Sequence, residues 1–457
     1  MSEIHSVLLK EEKCEGCTNC VKDCPTNAIR VHGGKADIKD DLCIDCAECI
    51  RTCEHNAKYI EADRLDQIDN YKYTAALIPP SFYGQFKENS SPGQIMKGLK
   101  NLGFTEVYNV ARAAEALARR TASFLKERDQ FYISSSCPVV VRLVQKIYPE
   151  LVDHLLPFKS PVEMTARKAR EEIKQETGLS VSNIGIFFIT PCSAKLTSVK
   201  LALGQEKSQL DGAIAVREIY EHLYPFLQSH DRGENENKKR TDKLDTSFLP
   251  AAGIKWGQSG GEGDLLQNLE QPGALTVSGL DEVRKALDEL VRNNLTGVKY
   301  LEMVSCPQGC VGGVLNIVNP YQAKYNIRTL VRSAEEKLSV SSPEFSEYDY
   351  ELRQGFSSDQ RGELDADMEK ALEKLARLEE EEEVLPGLNC ASCGAPDCET
   401  LAEDIVKGEA ERIDCIFMLR QKIQRLAEQV SNLSRELPPV FSEEDKTARD
   451  KSRGNNI

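Results

Sequence analysis

Histidine is scarce in this sequence, and long apolar runs and an excess of basic charge are absent. Six histidines stand beside sixteen cysteines, whereas zinc sites usually draw on both residue types. No apolar stretch approaches the roughly 18–20 residues of a membrane span, and residues 1–10 lack the apolar core of a secretory signal. With 58 basic and 73 acidic residues the net charge is −15, which disfavours duplex nucleic acid as a partner. We therefore expect a soluble, cytoplasmic protein with neither a membrane nor a nucleic-acid partner.

Cysteine is the abundant exception. The 457 residues allow about three domains at roughly 100–200 residues each, and the 40% hydrophobic content permits a sizeable core. Secreted disulfide scaffolds are mostly short. Sixteen cysteines in a long acidic chain therefore indicate metal clusters, and the spacing of the cysteines decides their kind.

Two groups of four cysteines near the N-terminus share the spacing C-x-x-C-x-x-C-x-x-x-C. They are Cys14, Cys17, Cys20 and Cys24, and Cys43, Cys46, Cys49 and Cys53. In such a pair, three closely spaced cysteines surround one 4Fe–4S cube and the fourth reaches the other cube. We expect one cube on Cys14, Cys17, Cys20 and Cys53, and a second on Cys43, Cys46, Cys49 and Cys24. Two full copies of the pattern disfavour zinc or chance thiols, and residues 1–62 resemble a bacterial two-cluster ferredoxin domain, which carries electrons.

A third cysteine group follows a charged stretch. Residues 363–385 are rich in Glu, Lys and Leu at helical spacing and end at Pro386-Gly387, which predicts a linker helix within residues 356–386. The cysteines after it are Cys390, Cys393, Cys398 and Cys415. Their pattern resembles the small single-cluster domain of corrinoid iron–sulfur proteins and Rnf-type electron-transfer subunits. We expect a third 4Fe–4S cube within residues 387–418, with a four-cysteine zinc site as the alternative.

Four cysteines remain in the long central region: Cys137, Cys192, Cys306 and Cys310. Each lies at or just after the end of a short apolar, β-rich run, the clearest being Ile184 to Ile189 and Tyr300 to Val304. Sites at the carboxyl ends of strands are typical of the crevice of an α/β domain. A buried cysteine by itself is unremarkable, but four with Pro, Gly and Lys beside them indicate a site.

These loops resemble the three signature loops of the FeFe hydrogenase catalytic domain, T-S-C-C-P, P-C-x-A-K-K and C-x-x-G-C-x-x-G-G. The chain has Ser134 to Pro138 in altered form, Pro191 to Lys195, and Cys306 to Gly313. Order and spacing agree, and the resemblance covers roughly residues 72–355. It implies an α/β catalytic domain over residues 63–355, with two small mixed or parallel sheets flanked by helices and an H-cluster in the crevice. The N-terminal domain would be α+β and ferredoxin-like, and the C-terminal cluster domain small and α-helical.

The resemblance also implies the ligands of an H-cluster. A 4Fe–4S cube would be held by Cys137, Cys192, Cys306 and Cys310, and Cys310 would bridge to a di-iron subcluster carrying CO, cyanide and an azadithiolate. Lys195 offers three donors and a positive charge to one cyanide, and the Pro79-Pro80-Ser81 turn would line the second. The remaining residues expected around the cofactor are Ser160, Thr190, Pro191 and Val304, of which Thr190 and Val304 stand where the family usually has methionines.

The chain departs from the family along the proton path. Active relatives have a second cysteine directly before the cube ligand, and here that position is Ser136. A thiol of pKa about 8.5 passes protons readily, whereas an alcohol relays only through a concerted hydrogen-bond chain. Counting without gaps, the next relay glutamates fall on Ala116 and Arg119, which cannot replace them. The iron site therefore looks intact while the usual proton path is interrupted.

That combination is similar to the sensory branch of the family. We expect a slow hydrogenase, catalysing H2 = 2 H+ + 2 e− reversibly, with Lys195 and Ser136 beside the reacting group and electrons passing along the 4Fe–4S clusters to an unknown redox partner. The alternatives are a metabolic hydrogenase with an unusual proton path, a non-catalytic relative of iron–sulfur assembly factors, and a plain four-cube electron carrier. Lys195 and the Cys306/Cys310 spacing argue against the assembly factor.

The C-terminal segment, residues 419–457, starts as an apolar heptad. The apolar positions are Ile416, Leu419, Ile423, Leu426, Val430, Leu433 and Leu437. Their alternating spacing of three and four predicts a coiled-coil seam that Pro438-Pro439 ends. We expect a parallel homodimer, with packing against the chain's own catalytic domain as the alternative, and a disordered polar tail beyond it.

Overall fold

The computed structural model describes residues 5–86, 90–233, 250–269, 273–335, 345, 348–359, 364 and 367–436. The chain divides into two compact units, residues 1–361 and 362–457. Leu437, Pro438-Pro439 and the polar tail, for which we made predictions, lie outside the described residues. None of the described helices is long and apolar enough to cross a membrane.

The first unit begins with two antiparallel strand pairs and two short helices. The strands are β1 (Val7–Leu9), β2 (Ile29–His32), β3 (Lys35–Ile38) and β4 (Lys58–Ile60), and the helices are α1 (Asn19–Lys22) and α2 (Glu48–Arg51). Strand β1 pairs with β4, and β2 pairs with β3. Both helices follow a left-handed residue, Thr18 at φ 64° and Ala47 at φ 63°. The repeated cysteine spacing is thus matched by a repeated backbone turn, which places Cys20 and Cys49 on equivalent helical turns.

The rest of the first unit contains two parallel sheets. Their strands are β5 (Tyr73–Ile78), β6 (Glu106–Asn109), β7 (Tyr132–Ile133), β8 (Ile184–Thr190), β9 (Gly212–Ala215), β10 (Ala274–Ser278) and β11 (Tyr300–Val304). The larger sheet has the order β6-β5-β8-β9 and the smaller has the order β10-β11-β7. All pairings in both sheets are parallel. The predicted fold class is confirmed, including the strands at Ile184 and Tyr300.

Ten helices of the first unit follow these strands. They are α3 (Pro92–Asn101), α4 (Val110–Lys126), α5 (Pro138–Ile147), α6 (Pro161–Thr177), α7 (Ser193–Lys200), α8 (Val216–Gly233), α9 (Ala251–Ile254), α10 (Gly261–Asn268), α11 (Leu280–Val291) and α12 (Pro320–Glu335). All seven residues of β8 are buried, as expected for a central parallel strand that is covered on both faces. Burying one large apolar side chain such as Phe187 contributes about 1.5–3 kcal/mol, so β8 anchors the larger sheet.

The second unit is helical: α13 (Met368–Val384), α14 (Cys398–Lys407) and α15 (Ile416–Glu436). Helix α13 ends before Pro386, as the stop signal predicts. Its buried Glu381 accepts two hydrogen bonds from Arg412, from Nε at 2.6 Å and from Nη2 at 3.0 Å. The predicted linker helix is therefore packed within the second unit, while the other predicted domain boundaries remain expectations.

Close packing of α9 against α4 leads to a test of this architecture. A Cβ added at Gly253 would lie 1.9 Å from the carbonyl oxygen of Ala111, whereas one at Gly93 would have its nearest neighbour at 4.0 Å. Gly253→Ala should lower the free energy of unfolding by about 1–3 kcal/mol, because the helices must separate. The matched Gly93→Ala should leave it unchanged or raise it by up to about 1 kcal/mol, since alanine favours a helix. Thermal melts followed by circular dichroism compare the two, and equal melting temperatures would contradict this packing.

Candidate metal centre

The carboxyl ends of both parallel sheets meet at one cleft with about 920 Å³ of empty space. The turns after β5, β7, β8 and β11 all contribute to its lining. Eleven of the residues predicted from the sequence line it: Pro79, Pro80, Ser81, Ser136, Cys137, Pro191, Cys192, Lys195, Val304, Cys306 and Cys310. Residues from positions 79 to 310 are thus brought to one place by the topology alone.

The four central cysteines form one group inside this cleft. Burial, with smaller contributions from the neighbouring Cys306 and Cys137, raises the pKa of Cys192 to about 12. Burial likewise raises the pKa of Cys310, with added contributions from Cys306, Cys137 and Cys192. The Sγ atoms of Cys137 and Cys306 both contact the hydroxyl of Ser305, at 3.7 Å and 4.0 Å. Without a cation the thiols of Cys192 and Cys310 are neutral, and a bound metal cluster would convert them to thiolates.

Two of these thiols, those of Cys137 and Cys192, lie at the N-terminal ends of helices. Cys137 is the N-cap residue of α5 and Cys192 that of α7, and neither side chain caps its helix. The positive end of a helix dipole favours a thiolate. Thr190 fixes the second position, because its hydroxyl accepts from the Cys192 amide at 3.1 Å and donates to the Cys192 carbonyl at 3.0 Å. Thr190 therefore orients Cys192 from behind and is not among the residues that line the cleft.

The third loop depends on a glycine. Gly309 has φ 90°, and a Cβ there would lie 2.4 Å from the backbone nitrogen of Ser259. Only glycine fits such a left-handed, crowded position. The Asn316 side chain then holds the end of the loop by donating to the carbonyls of Cys310 and Val311, both at 2.9 Å. The spacing between Cys306 and Cys310 is thus fixed by backbone geometry.

Several hydrogen-bond donors around the cleft could bind a cofactor that carries acceptor atoms on its surface. The buried Ser81 hydroxyl and the Trp256 indole N–H have no hydrogen-bond partner within the described residues. Lys195 Nζ lies 3.5 Å from the carbonyl of Ser136, and its charge lowers the pKa values of Cys192 and Cys310 against the effect of burial. A thiol-bound cluster with cyanide ligands would satisfy such donors. The residues present therefore fit an H-cluster, and Trp256 is a donor that the sequence reasoning missed.

Ser160 lies in a neighbouring cavity of about 540 Å³. That cavity is also lined by Ser136, Lys159 and Lys195. Ser136 and Lys195 thus line both cavities. Ser160 lines only the neighbouring cavity and not the cleft that contains the four cysteines.

Two buried carboxyl groups at the cleft were not predicted. Glu262 accepts a hydrogen bond from Ser134 at 2.9 Å and another from the Tyr300 hydroxyl. Burial raises the pKa of Glu262 to about 8, and the nearby Glu302 adds to the shift. Glu302 accepts from the backbone amides of Gly260 at 2.9 Å and Gly263 at 2.7 Å. The sequence feature that could have identified Glu302 is its position inside the otherwise apolar strand β11.

A series of neighbouring polar groups lies beside Ser136. The amide of Ser136 donates to the Ser134 hydroxyl at 3.3 Å, and that hydroxyl donates to Glu262. Glu302 acts on Glu262 through its charge, and it accepts from the half-buried Thr276 hydroxyl at 3.4 Å. A carboxyl group with a pKa near neutrality is suited to proton transfer.

Helix α4 carries Ala116 and Arg119 at the positions where the family's proton-relay glutamates were expected. Ala116 is buried and Arg119 exposed on α4. Glu115 is buried beside them, but its carboxylate accepts from the Gly253 amide at 3.0 Å and so holds the start of α9. The cleft is lined at this helix by Val110 and Ala114, which carry no proton.

The N-terminal thiols group as the spacing predicts. Burial raises the pKa of Cys20 to about 11, Lys58 opposes this, and Cys14, Cys17 and Cys53 add to it. Those four cysteines also line a cavity with about 360 Å³ of empty space. Burial raises the pKa of Cys46, and Cys24, Cys49 and Cys43 contribute in the same direction. Both sets therefore combine cysteines from the two halves of the repeat.

In the second unit, Cys393, Cys398 and Cys415 share a small apolar core with Leu401. Burial raises the pKa of Cys393, and Cys415 and Cys390 add to the shift. Across the described residues, no His, Cys, Asp or Glu group has the spacing to hold a single metal ion. Thiols set around a space, as at Cys20, suit a multi-iron cube better than one zinc ion.

Three family models match the chain. Residues 6–54 match a 4Fe-4S dicluster domain, residues 72–263 the C-terminal domain of the iron-only hydrogenase large subunit, and residues 385–417 an Fe-S cluster family. The central part of the chain is therefore similar to iron-only hydrogenases. The flanking dicluster and Fe-S domains are likewise those that the cysteine spacing predicts.

Two curated relatives match the hydrogenase region. Iron hydrogenase 1 from Clostridium pasteurianum is 23% identical over 264 residues, which cover 50% of this chain and 46% of that protein. The periplasmic Fe hydrogenase large subunit from Nitratidesulfovibrio vulgaris is 29% identical over 216 residues, 42% of this chain and 51% of that protein. The chain thus spans about half the length of the curated relatives it matches. Among solved structures, a variant of the FeFe-hydrogenase HydA1 from Chlamydomonas reinhardtii has a TM-score of 0.46 at 16% identity, covering 65% of this chain and 98% of that chain.

Metal analysis tests the whole cysteine inventory of this chain. Produced without H-cluster maturation enzymes and reconstituted anaerobically, the chain should hold four cubes, about 16 iron atoms. Cys393→Ala and Cys192→Ala should each remove about four of these irons, because each variant breaks one ligand set. Iron and zinc are measured together by mass spectrometry. Stoichiometric zinc that disappears only in Cys393→Ala would instead establish the C-terminal zinc alternative.

Proposed function

We propose that the chain is a slow, sensory FeFe hydrogenase that interconverts H2 with two protons and two electrons. The observation that carries the proposal is the cleft, where four half-buried cysteines lie beside Lys195 and the Ser81 hydroxyl, which has no hydrogen-bond partner among the described residues. The family match over residues 72–263 supports the same reaction. The domain boundaries and site residues expected from the sequence are part of this proposal.

The proposed roles of the side chains follow from their positions. Cys137, Cys192, Cys306 and Cys310 would hold the cube, and Cys310 would also bridge to the di-iron subcluster. The H-cluster, when bound, supplies the site at which H2 is split or formed. Lys195 and Ser81 would hold it by donating hydrogen bonds to its cyanides.

Electrons would leave through the N-terminal cubes. Asp45, between Cys43 and Cys46, accepts from Thr197 on α7 at 2.6 Å and from Arg142 on α5 at 3.3 Å. These helices start at Cys192 and Cys137. The loop that carries Cys43 and Cys46 is therefore joined to the two helices that follow Cys137 and Cys192. This contact supports a short distance for electron transfer between the N-terminal cube and the cube in the cleft.

Proton transfer would set the rate. Ser136 borders the cleft in place of the usual thiol, and an alcohol is too weak an acid to give up its own proton. The polar series through Ser134, Glu262 and Glu302 offers a slower exit. We infer that this series, rather than α4, carries protons, which keeps turnover low and suits a protein that reports H2 to a redox partner.

Infrared spectroscopy tests the proposed cofactor. After maturation the chain should hold about 18 iron atoms and show bands of metal-bound CO and cyanide. Cys310→Ala should lose those bands, because the bridge to the di-iron subcluster is gone. A fully matured wild-type sample without CO and cyanide bands would contradict the hydrogenase proposal and favour a plain four-cube electron carrier.

The proton route is tested by pH profiles of H2 oxidation. Glu262 accepts protons only when ionised, and its pKa is raised to about 8. The wild-type rate should therefore rise with pH through this region, and Glu262→Gln should lose that rise and fall about 10²–10⁴-fold. Ser136→Cys should restore little, because Ala116 and Arg119 still interrupt the usual path.

The control for the proton route is Glu115→Gln, which alters a buried carboxyl group that holds α9 and lies outside the proposed series. It should retain the wild-type pH profile. A Glu262→Gln enzyme with wild-type rates, or a Ser136→Cys enzyme as fast as metabolic hydrogenases, would show that protons take another path.

We also propose that α15 forms a parallel coiled coil with a second copy of the chain. Its described heptad residues are Ile416, Leu419, Ile423, Leu426, Val430 and Leu433, and they are 39–65% exposed. A strict seven-residue repeat is the pattern of a two-stranded seam, whereas a helix packed on a domain shows a wider apolar face. The helix starts directly after Cys415, so a redox change at the third cube would be transmitted to the dimer.

Light scattering with matched charge variants tests the dimer. Ile423→Glu with Leu426→Glu should give a monomer, because four carboxylates would face each other across the seam. Gln421→Glu with Gln424→Glu adds the same charge on the opposite face and should remain dimeric. A wild-type monomer, or a dimer that persists when residues 419–457 are deleted, would exclude this interface.

A further inference from the structure

Arg51 joins the N-terminal part of the first unit to the central cleft. It is the last residue of α2 and follows the ligand loop of Cys46 and Cys49. Its Nη1 donates to the Cys46 carbonyl at 3.1 Å and to Glu48 at 2.7 Å. Its Nη2 donates to the Sγ of Cys306 at 3.6 Å and to the Gly312 carbonyl at 3.1 Å. One guanidinium therefore spans two ligand loops that are 255 residues apart in sequence.

A cationic donor on a ligand sulfur has a defined electrostatic effect. Reduction adds negative charge to an iron–sulfur cube, and a donor on its thiolate stabilises that charge. Hydrogen bonds to the sulfurs therefore raise the reduction potential of the cube. Arginine keeps its charge at every working pH, so its effect is permanent.

The neighbouring arginine at this contact acts differently. Arg142 also lies between the two regions, but its Nη1 contacts the Asp45 carboxylate, with both side chains buried. That pair is charge-compensated, as the pair of Arg51 and Glu48 is, and it ties helix α5 to the Asp45 loop. Arg51 differs because one of its nitrogens lies on a cysteine sulfur at the active cleft.

We propose that Arg51 is a positioning residue that raises the reduction potential of the cube at Cys306 and holds the adjacent cluster loop against it for electron entry. The inference rests on the proposed function, since it takes Cys306 as a ligand of the active-site cube. It goes beyond that function by assigning control of the cube's potential to a side chain of the N-terminal part.

The test is a redox titration followed by electron paramagnetic resonance on the full chain reconstituted with four cubes. No H2 chemistry is needed, and the signal of the cube at Cys306 is identified as the one missing in Cys192→Ala. Arg51→Met should shift the midpoint potential of this signal to more negative values. The control Arg217→Met removes a comparable arginine hydrogen bond, to the Ile60 carbonyl at 3.1 Å, and should leave the midpoint unchanged.

A second variant keeps the test decisive if Arg51→Met does not load its clusters. Glu48→Gln leaves the guanidinium charge uncompensated and should shift the same midpoint to more positive values. An unchanged or more positive midpoint in loaded Arg51→Met, or an unchanged one in Glu48→Gln, overturns the inference. A wild-type chain without any signal that depends on Cys192 overturns the proposed function instead.

Discussion

The convergence of four cysteines on one cleft is the constraint on which this structure depends. A buried thiol resists ionisation, as the raised pKa values of Cys192 and Cys310 show. A cluster of iron ions supplies the positive charge that makes four neighbouring thiolates tolerable. The parallel sheets bring the thiols together because the strands β7, β8 and β11 all end at the same cleft. The helix starts at Cys137 and Cys192 and the tight turn at Gly309 then set the direction of each sulfur.

The same constraint explains why the N-terminal part is joined so closely to the cleft. Electron transfer requires that neighbouring clusters keep a fixed separation, and a fixed separation requires contacts that are not easily broken. Asp45 provides a buried set of hydrogen bonds to α5 and α7. The Arg51 guanidinium adds hydrogen bonds to the Cys306 sulfur and to the Gly312 carbonyl. Ligand loops of different predicted cubes thus support one another directly.

The groups available for proton transfer differ from those expected of the family, whereas the cysteines expected to hold the clusters are all present. Around the cleft, the groups that usually pass protons are replaced by Ser136 and by the apolar lining of α4. Buried carboxyls lie on the other side, where burial raises the pKa values of Glu262 and Glu302 and the charge of Glu302 adds to the shift of Glu262. Such a pair holds one proton more readily than none. Under the proposed function, a site that exchanges protons slowly would report on H2 rather than consume it.

The sequence by itself determined the parts that depend on short-range spacing. Cysteines three residues apart must share a loop, apolar runs such as Ile184 to Ile189 must be buried, and the heptad after Cys415 must form a helix. The twofold pattern also predicts that Cys24 and Cys53 are exchanged between the two ligand sets, which stays a prediction. The tertiary structure alone decided the rest. Glu262 meets Ser134 across 128 positions, and Arg51 meets Cys306 across 255, so no local pattern marks these pairs. Thr190 and Ser160 were expected to line the cofactor, but the fold places one behind Cys192 and the other in an adjoining cavity. Contacts of this kind arise from how two sheets are set against each other, and that arrangement is a property of the whole core rather than of any segment.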